Sequence, residues 1–133
     1  MKVGACINRM LLNDSNVTTL VSTRIYPERA PEGAAAPFIV YSVVSNQPSD
    51  SKSGTPIDEA QLEVFSVASS YADTNTLSDF VRSALDRQGV EVVINSQTIK
   101  VESVQYTNEV TEVDTDKNLF VAVQDYTFRI LRS

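Results

Sequence analysis

The chain has 133 residues, of which 42% are hydrophobic and 21% charged, and its net charge is −6 at pH 7. This size and composition are typical of one globular domain, residues 1–133, with a core of its own. The net negative charge argues against a protein that binds nucleic-acid phosphates, because such binding needs a concentrated basic face. The single cysteine and the absence of histidine exclude an internal disulfide and a Cys/His zinc site.

The N-terminal residues predict helices. Apolar side chains recur at helical spacing at Val3, Ile7, Met10 and Leu11. Asp14 or Ser15 is suited to cap a second short helix that carries residues 17–21. We therefore expect two short helices or one broken helix, with Cys6 inside the first. Every apolar run is too short to cross a bilayer, so we expect no membrane partner and synthesis in the cytosol.

Residues 24–41 contain three of the five prolines and end in a dense apolar segment. Proline fixes its own φ and pushes the preceding residue into extended geometry. We therefore expect a thin, semi-rigid arm over residues 27–36, followed by a strand over residues 37–45. That strand mixes β-branched and aromatic residues without clean alternation, which is typical of a strand covered on both faces. A second subunit is one candidate to cover one of the two faces of this strand.

Residues 46–56 collect turn-forming and polar residues, which predicts a long exposed hairpin loop. The chain then returns as a strand over residues 61–67, with Leu62 and Val64 on one face and Phe65 and Val67 on the other. Antiparallel pairing between this strand and residues 37–45 is the simplest connection.

The clearest helical pattern covers about Thr74 to Gln88. Its apolar positions are Leu77, Phe80, Val81, Ala84 and Leu85. Asp73 is the expected N-cap, and Gly89 is the expected stop after the last turn. One face of this helix should be buried against the sheet.

Two further strands are predicted at residues 90–94 and 98–106, joined by a tight turn at Asn95 and Ser96. The apolar residues change from one face of the second strand to the other, which indicates a bulge near Ser103. In the last strand, residues 119–131, the expected core positions are Phe120, Ala122, Tyr126, Phe128 and Ile130. Val121 and Val123 then form either a second buried layer or an exposed apolar patch. The predicted fold is α+β, an antiparallel sheet of four to five strands with helices packed on one face.

The residues that most often carry chemistry form no convincing site. An acidic loop over residues 107–118 is predicted to hold Glu109, Glu112, Asp114 and Asp116. Asp114, Asp116 and Asn118 have the alternate spacing of calcium ligands, but Leu119 stands where that loop needs glycine. No histidine is present to activate Cys6, and no glycine-rich phosphate loop exists. We predict no catalytic, cofactor or metal site, and no enzymatic activity.

The order of these features resembles one protein family. The segments that carry the resemblance are Arg24-Ile25-Tyr26-Pro27, the Ala/Pro/Gly arm, Pro37 to Tyr41, Ser53-Gly54 in a polar loop, Gln61 to Ser66, and the helix sequence LSDFVRSAL. Together they resemble the tail-completion proteins of long-tailed bacteriophages, also called tail terminators or tail-to-head joining proteins. The resemblance covers roughly residue 10 to the end of the chain.

The resemblance implies a structural virion protein of the head-tail neck that is made and assembled in the host cytoplasm. Such a protein would cap the tail tube as a hexameric ring, end tail growth and join the tail to the head. Its partners would be further copies of itself, the tail tube protein and a head-completion or connector protein. DNA would pass through the lumen of the ring without specific binding.

Several residues are candidates for these contacts. A ring interface joins two different surfaces of the same chain, and the candidates for it are Tyr26, Pro27, Pro31, Pro37, Val121 and Val123. A loop carrying Asn46, Asp50 and Lys52 is expected to reach the tube or the connector. Glu109, Glu112, Asp114 and Asp116 are expected to line the lumen and to repel the DNA backbone.

Two other functions fit the same sequence. Another neck protein, such as a head-completion or connector protein, would share the order of helices and strands. A small ligand-binding α+β module, or a carboxylate-based hydrolase, belongs to a different class. A ligand-binding module should be a stable monomer with a pocket, whereas a tail protein should associate with tube ends or with itself.

Overall fold

The computed structural model describes residues 3–48 and 57–131, which form three α-helices and six β-strands. The helices are α1 (Val3–Leu12), α2 (Ser15–Val21) and α3 (Tyr71–Leu85). The strands are β1 (Ile25–Pro27), β2 (Phe38–Pro48), β3 (Ile57–Ala68), β4 (Val90–Ile94), β5 (Gln97–Asp114) and β6 (Leu119–Leu131). Within these described residues, no helix is long and apolar enough to span a bilayer.

The strands form one sheet in the order β1-β2-β3-β6-β5-β4. The predicted α+β class is confirmed, but the predicted sheet of four to five antiparallel strands is wrong in detail. β1 is parallel to β2, with Ile25 opposite Ile39 and Pro27 opposite Tyr41, so the six-stranded sheet is mixed. Three residues are too few to show a periodicity of their own, which is why the sequence pattern did not separate β1 from the arm.

The main core lies between the helices and one face of the sheet. Fully buried side chains from both layers meet there, namely Ile7, Leu11, Leu62, Leu77, Leu85, Tyr126 and Phe128. From Val121 onward the residues of β6 alternate between half-buried and buried, which confirms the predicted core positions Ala122, Tyr126, Phe128 and Ile130, whereas Phe120 is only half-buried. Gln124 is also fully buried on that face.

The junction between α1 and α2 confirms the prediction of two short helices. Asp14 is the N-cap of α2, and its Oδ1 accepts hydrogen bonds from the backbone N–H groups of Asn16 and Val17 at 3.0 and 3.1 Å. These bonds satisfy two of the N–H groups that the first turn of a helix leaves free. A separate second helix therefore starts at Ser15.

α3 begins and ends three residues earlier than the sequence pattern indicated, at Tyr71 and Leu85. Ser70 is the N-cap, and its hydroxyl accepts the backbone N–H of Asp73 at 3.1 Å. The predicted stop at Gly89 is also wrong, because Arg87 has the positive φ of 63° after the helix. Gly89 instead lies against β5, where an added Cβ would be 2.9 Å from the Val101 carbonyl oxygen.

The β4–β5 hairpin confirms the predicted tight turn. Asn95 and Ser96 have φ values of 50° and 66°, and Ile94 pairs with Gln97 on either side of them. Positive φ at both central residues is the signature of a type I′ turn, which glycine accommodates best at the second position. Ser96 therefore occupies a conformation that costs an L-residue free energy.

We expect Ser96→Gly to raise the free energy of unfolding by about 1 kcal/mol, because glycine has no Cβ to clash at positive φ. Chemical denaturation of the wild type and the variant measures this difference. Ser96→Ala is the matched control and should not stabilise the chain, since alanine keeps the Cβ. A Ser96→Gly variant that is less stable than the wild type would contradict the assignment of this turn.

β5 is longer than predicted and continues to Asp114. The predicted acidic loop over residues 107–118 is therefore wrong, because residues 108–114 pair with β6 and only residues 115–118 form the turn. The register shifts between Val101 and Ser103 and again between Tyr106 and Asn108. The first shift confirms the predicted bulge near Ser103.

The β2–β3 pairing confirms the predicted antiparallel connection. The paired residues run from Phe38 opposite Val67 to Pro48 opposite Asp58, with an irregularity at Val44. The prediction of a loop at residues 46–48 is wrong, because they lie in β2. The rest of that predicted loop, residues 49–56, lies outside the described residues.

Candidate interaction surface

In the described ranges 3–48 and 57–131, no three His, Cys, Asp or Glu residues are grouped so that they could hold a metal ion. Cys6 is fully buried in α1, and burial raises the pKa of its thiol. A protonated, buried thiol is a poor nucleophile.

We expect Cys6 in the folded protein to react with a thiol-specific disulfide reagent at least about 100-fold more slowly than a free thiol, because the reaction needs local opening. Absorbance of the released product measures the rate. Reaction after unfolding in denaturant should be complete and fast, which provides the control. Rapid reaction of the folded protein at neutral pH would contradict the burial of this side chain.

The arm between β1 and β2 folds back over the face of the sheet opposite the helices. There, a second apolar cluster contains Phe38, Val40 and Val67, with Tyr26, Ala30, Ala34, Ala36, Phe65, Leu119 and Val121 packed around them. Arg24 holds the end of the arm, because its Nε donates to the Pro37 carbonyl at 2.9 Å. The arm of the same chain therefore covers this face of the sheet.

The residues predicted for a subunit interface occupy different positions in this cluster. Pro27 and Pro31 are exposed, whereas Pro37 is half-buried. The half-buried Tyr26 ring packs on Phe38, with the ring centroids 6.1 Å apart. Val121 and Val123 are half-buried on the face of β6 that points away from the helices. The structure therefore brings Tyr26 and Val121 into one cluster and leaves Pro27 and Pro31 on its outer side.

An open groove of about 830 Å³ lies between the arm and the start of β6. Its lining consists of Arg29, Ala30, Pro31, Glu32, Gly33, Ala34, Phe38, Lys117 and Leu119. The groove combines apolar side chains with the charged Arg29, Glu32 and Lys117, a combination that suits a polypeptide segment better than a small polar ligand. Sequence reasoning missed Lys117 and Leu119, which are distant from the arm in the chain.

The four predicted lumen carboxylates do not share one surface. The pairing register places Glu109 on the helix side of the sheet, opposite Gln124, and Glu112 on the other side, opposite Val121. Asp114 ends β5 and accepts the backbone N–H of Lys117 at 3.2 Å, and Asp116 lies exposed in the turn. Only Asp114 and Asp116 lie at the tip of the β5–β6 hairpin.

A buried polar network ties this hairpin to α3. The Gln124 Nε2 donates to the Ser78 carbonyl at 3.0 Å and to the Glu109 carboxylate at 2.7 Å. The Gln124 Oε1 accepts the Tyr126 hydroxyl at 2.9 Å. Burial raises the pKa of Tyr126, and the negative charges of Asp86 and Glu109 add to the shift. The Tyr126 hydroxyl therefore keeps its proton at neutral pH, and the network fixes the hairpin relative to the helix layer.

Aromatic and cationic contacts surround this network. The Tyr106 and Tyr126 rings meet edge to face with their centroids 5.7 Å apart, and the Arg82 guanidinium lies 3.9 Å from the centroid of the Tyr106 ring. Such cation–π and edge-to-face contacts add stability beyond burial. Sequence reasoning left out Gln124, although a polar residue inside an apolar alternation was the available signal.

The loop predicted to reach the tube or the connector is described only in part. Asn46 is exposed in β2 and pairs with Ala60. Asp50 and Lys52 lie outside the described residues.

The fold is α+β, with three helices on one face of a mixed six-stranded sheet and the arm over the other face. Residues 6–131 match the family model described as tail completion protein gp17. The chain therefore belongs to the tail completion protein gp17 family, and it is a structural component of a phage virion.

Comparison with solved structures shows that the fold is shared. A chain from the structure titled "Virion of native gene transfer agent (GTA) particle" is similar at a TM-score of 0.63 and 16% identity, over 94% of this chain and 91% of that chain. A second solved chain is similar at a TM-score of 0.53 and 6% identity, over 97% of this chain and 96% of that one. No match was found among the curated proteins.

Proposed function

We propose that the protein caps the tail tube, ends tail growth and joins the tail to the head, and that it does so as a hexameric ring without enzymatic activity. The observation that carries the proposal is the family match over residues 6–131. Its partners are further copies of itself, the tail tube protein and a head-completion or connector protein, and assembly takes place in the host cytoplasm.

The surface of the chain supports an assembly role. Val44, Val93, Val110 and Val113 are 48–67% exposed, and the groove beside the arm is open. These side chains lie on β2, β4 and β5. Exposed apolar side chains on strands, together with an open groove, are features of surfaces that a partner covers.

We assign the ring interface to the arm and the sheet face beneath it, around Tyr26, Pro27, Pro31, Pro37, Val121 and Val123. A ring repeats one contact between two different surfaces of the chain. The exposed Pro27 and Pro31 and the half-buried Val121 and Val123 provide one such surface. Proline-rich segments suit this role because little conformational entropy is lost when they bind.

We assign the contact with the tube or the connector to the end of the β2–β3 hairpin, which includes Asn46, Asp50 and Lys52. Asn46 is exposed in the distal half of β2. This end of the sheet is opposite the hairpin tip formed by residues 115–118, so the two ends are free to meet different partners.

For the lumen, the structure favours the tip carboxylates Asp114 and Asp116 over Glu109, which accepts the hydrogen bond from Gln124. A fixed negative charge repels DNA phosphates and lets the duplex slide past. Asp116→Lys is expected to leave heads and tails joined but to reduce DNA delivery to the host, with Asp116→Asn giving a smaller effect. Unchanged delivery by Asp116→Lys would contradict this assignment.

Electron microscopy of lysates from phage with a nonsense mutation in this reading frame tests the function. We expect full heads beside detached tails, including tails of irregular length, and restoration of joined virions when the wild-type protein is supplied in trans. Normally joined virions without the protein would overturn the proposal. Empty or leaking heads beside tails of normal length would instead identify a head-completion or connector protein.

A further inference from the structure

One side of β5 has no strand beside it over much of its length. β4 pairs with residues 97–101. Beyond β4, the Val104 carbonyl accepts the Arg87 N–H at 2.7 Å, and the Tyr106 N–H donates to Asp86 Oδ1 at 3.1 Å. In the described part of the chain, β6 is the only strand paired with residues 108–114. The end of α3 thus closes the edge of β5 up to Tyr106, and the edge is open after it.

The register identifies which backbone groups face the open side. Opposed residues of an antiparallel pair alternate between those that exchange hydrogen bonds and those whose N–H and C=O point outward. Val104 and Tyr106 point outward, since Arg87 and Asp86, just after α3, bond to their backbone groups. Past the extra residue Thr107 in β5, the alternation continues along β6 and can be followed through its pairs. The N–H and C=O groups that point to the open edge are those of Glu109, Thr111 and Val113.

The opposite edge of the sheet is closed along β1. In the described residues, the part of β2 beyond β1, residues 42–48, pairs only with β3, but it has an irregularity at Val44 and carries no cation to meet the carboxylates of β5. At β1, the Ile25 N–H donates to the Thr23 carbonyl at 2.8 Å, and the Pro27 carbonyl accepts the Arg29 N–H at 2.7 Å. Pro27 has no N–H of its own. A proline and locally satisfied groups protect this edge strand. Residues 107–114 have neither, and their protection is the negative charge of their side chains, which disfavours an acidic partner strand.

The charge of residues 107–114 indicates whether a second copy of the chain or a different protein pairs with this edge. Residues 107–114 carry Glu109, Glu112 and Asp114 and no cation. Pairing this segment with itself would bring like charges together, which destabilises cross-strand pairs. Val110 and Val113 are 48% and 55% exposed, so both faces of the edge also offer apolar surface to an added strand.

We propose that the open edge of β5, residues 107–114, binds an extended segment of a different protein by strand addition. That segment carries Lys or Arg opposite the carboxylates and apolar side chains opposite Val110 and Val113. Main-chain hydrogen bonds provide the affinity, and the side-chain pattern provides the specificity. The site is separate from the arm and its groove, and it does not depend on ring formation.

Two variants at Thr111 test the role of the backbone. Thr111→Pro removes an N–H that points to the open edge while leaving the β5–β6 hydrogen bonds in place, which an edge strand tolerates. Thr111→Ala keeps the N–H and is the matched control. Thermal unfolding should show both variants folded.

NMR titration of the isolated protein with a short synthetic peptide of alternating lysine and valine provides the readout. We expect amide shifts confined to residues 107–114, affinity about tenfold weaker when the lysines are replaced by glutamates, binding retained by Thr111→Ala and lost in Thr111→Pro. A peptide that is N-methylated at alternate residues should not bind the unaltered protein, which tests the mechanism even if Thr111→Pro fails to fold. Shifts elsewhere, no binding, or equal binding of the acidic peptide would overturn the proposal. None of these outcomes depends on the tail-joining phenotype.

Discussion

Replacement of Gln124 by leucine is expected to lower the free energy of unfolding by about 3 kcal/mol. Gln124 is fully buried, and its amide joins Ser78, Glu109 and Tyr126 through three hydrogen bonds. Leucine has similar volume but leaves the buried Tyr126 hydroxyl without an acceptor. An unsatisfied buried polar group costs more than the net value of the hydrogen bond it lost.

Denaturant unfolding of the single and double variants of Gln124→Leu and Tyr126→Phe measures this effect. The double variant should be less destabilised than the sum of the single changes, because removal of both partners leaves no orphaned group in this pair. Glu109→Gln retains an acceptor for the Gln124 amide and serves as the mild control. A loss below about 1 kcal/mol in Gln124→Leu would show that the network does not hold α3 to the hairpin.

The second large effect is a loss of stability in alkali. Burial raises the pKa of Tyr126 above its ordinary value, and Tyr106, Asp86 and Glu109 push it in the same direction. The pKa of Tyr126 is higher in the folded state than in the unfolded state. The stabilising contribution of protonated Tyr126 is therefore complete below a pH of about 10, where the tyrosine is also protonated in the unfolded state. It is lost as pH rises above that value, at up to about 1.4 kcal/mol per pH unit.

Denaturation curves recorded across this alkaline range measure the slope. Tyr41 and Tyr106 also have raised pKa values, in each case chiefly because of burial, so part of the dependence should survive in Tyr126→Phe. That variant should nevertheless show a distinctly shallower decline than the wild type. Equal slopes in the two proteins would mean that Tyr126 ionises in the folded state as readily as in the unfolded state.

The site was harder to predict than the fold because its parts come from distant segments. The arm is visible from its prolines, but Lys117 and Leu119 join it only because β6 begins beside the end of β3, which pairs with the start of β2. The four carboxylates looked like one acidic loop, yet strand pairing places Glu109 and Glu112 on opposite sides of the sheet. Side-chain direction in a strand depends on register, and a polar segment without apolar alternation does not reveal its register.

The sequence alone determined the elements whose signals are local. Helical spacing determined α1 and α2, the Asn95-Ser96 pair determined the β4–β5 hairpin, and apolar alternation determined the core face of β6. Tertiary structure decided the parallel pairing of β1 with β2, the extension of β5 to Asp114 and the placement of the arm over the second face. These features depend on partners far away in the chain. β1 is too short to have a period of its own, and residues 107–114 become a strand because the backbone groups of β6 are available to pair with them.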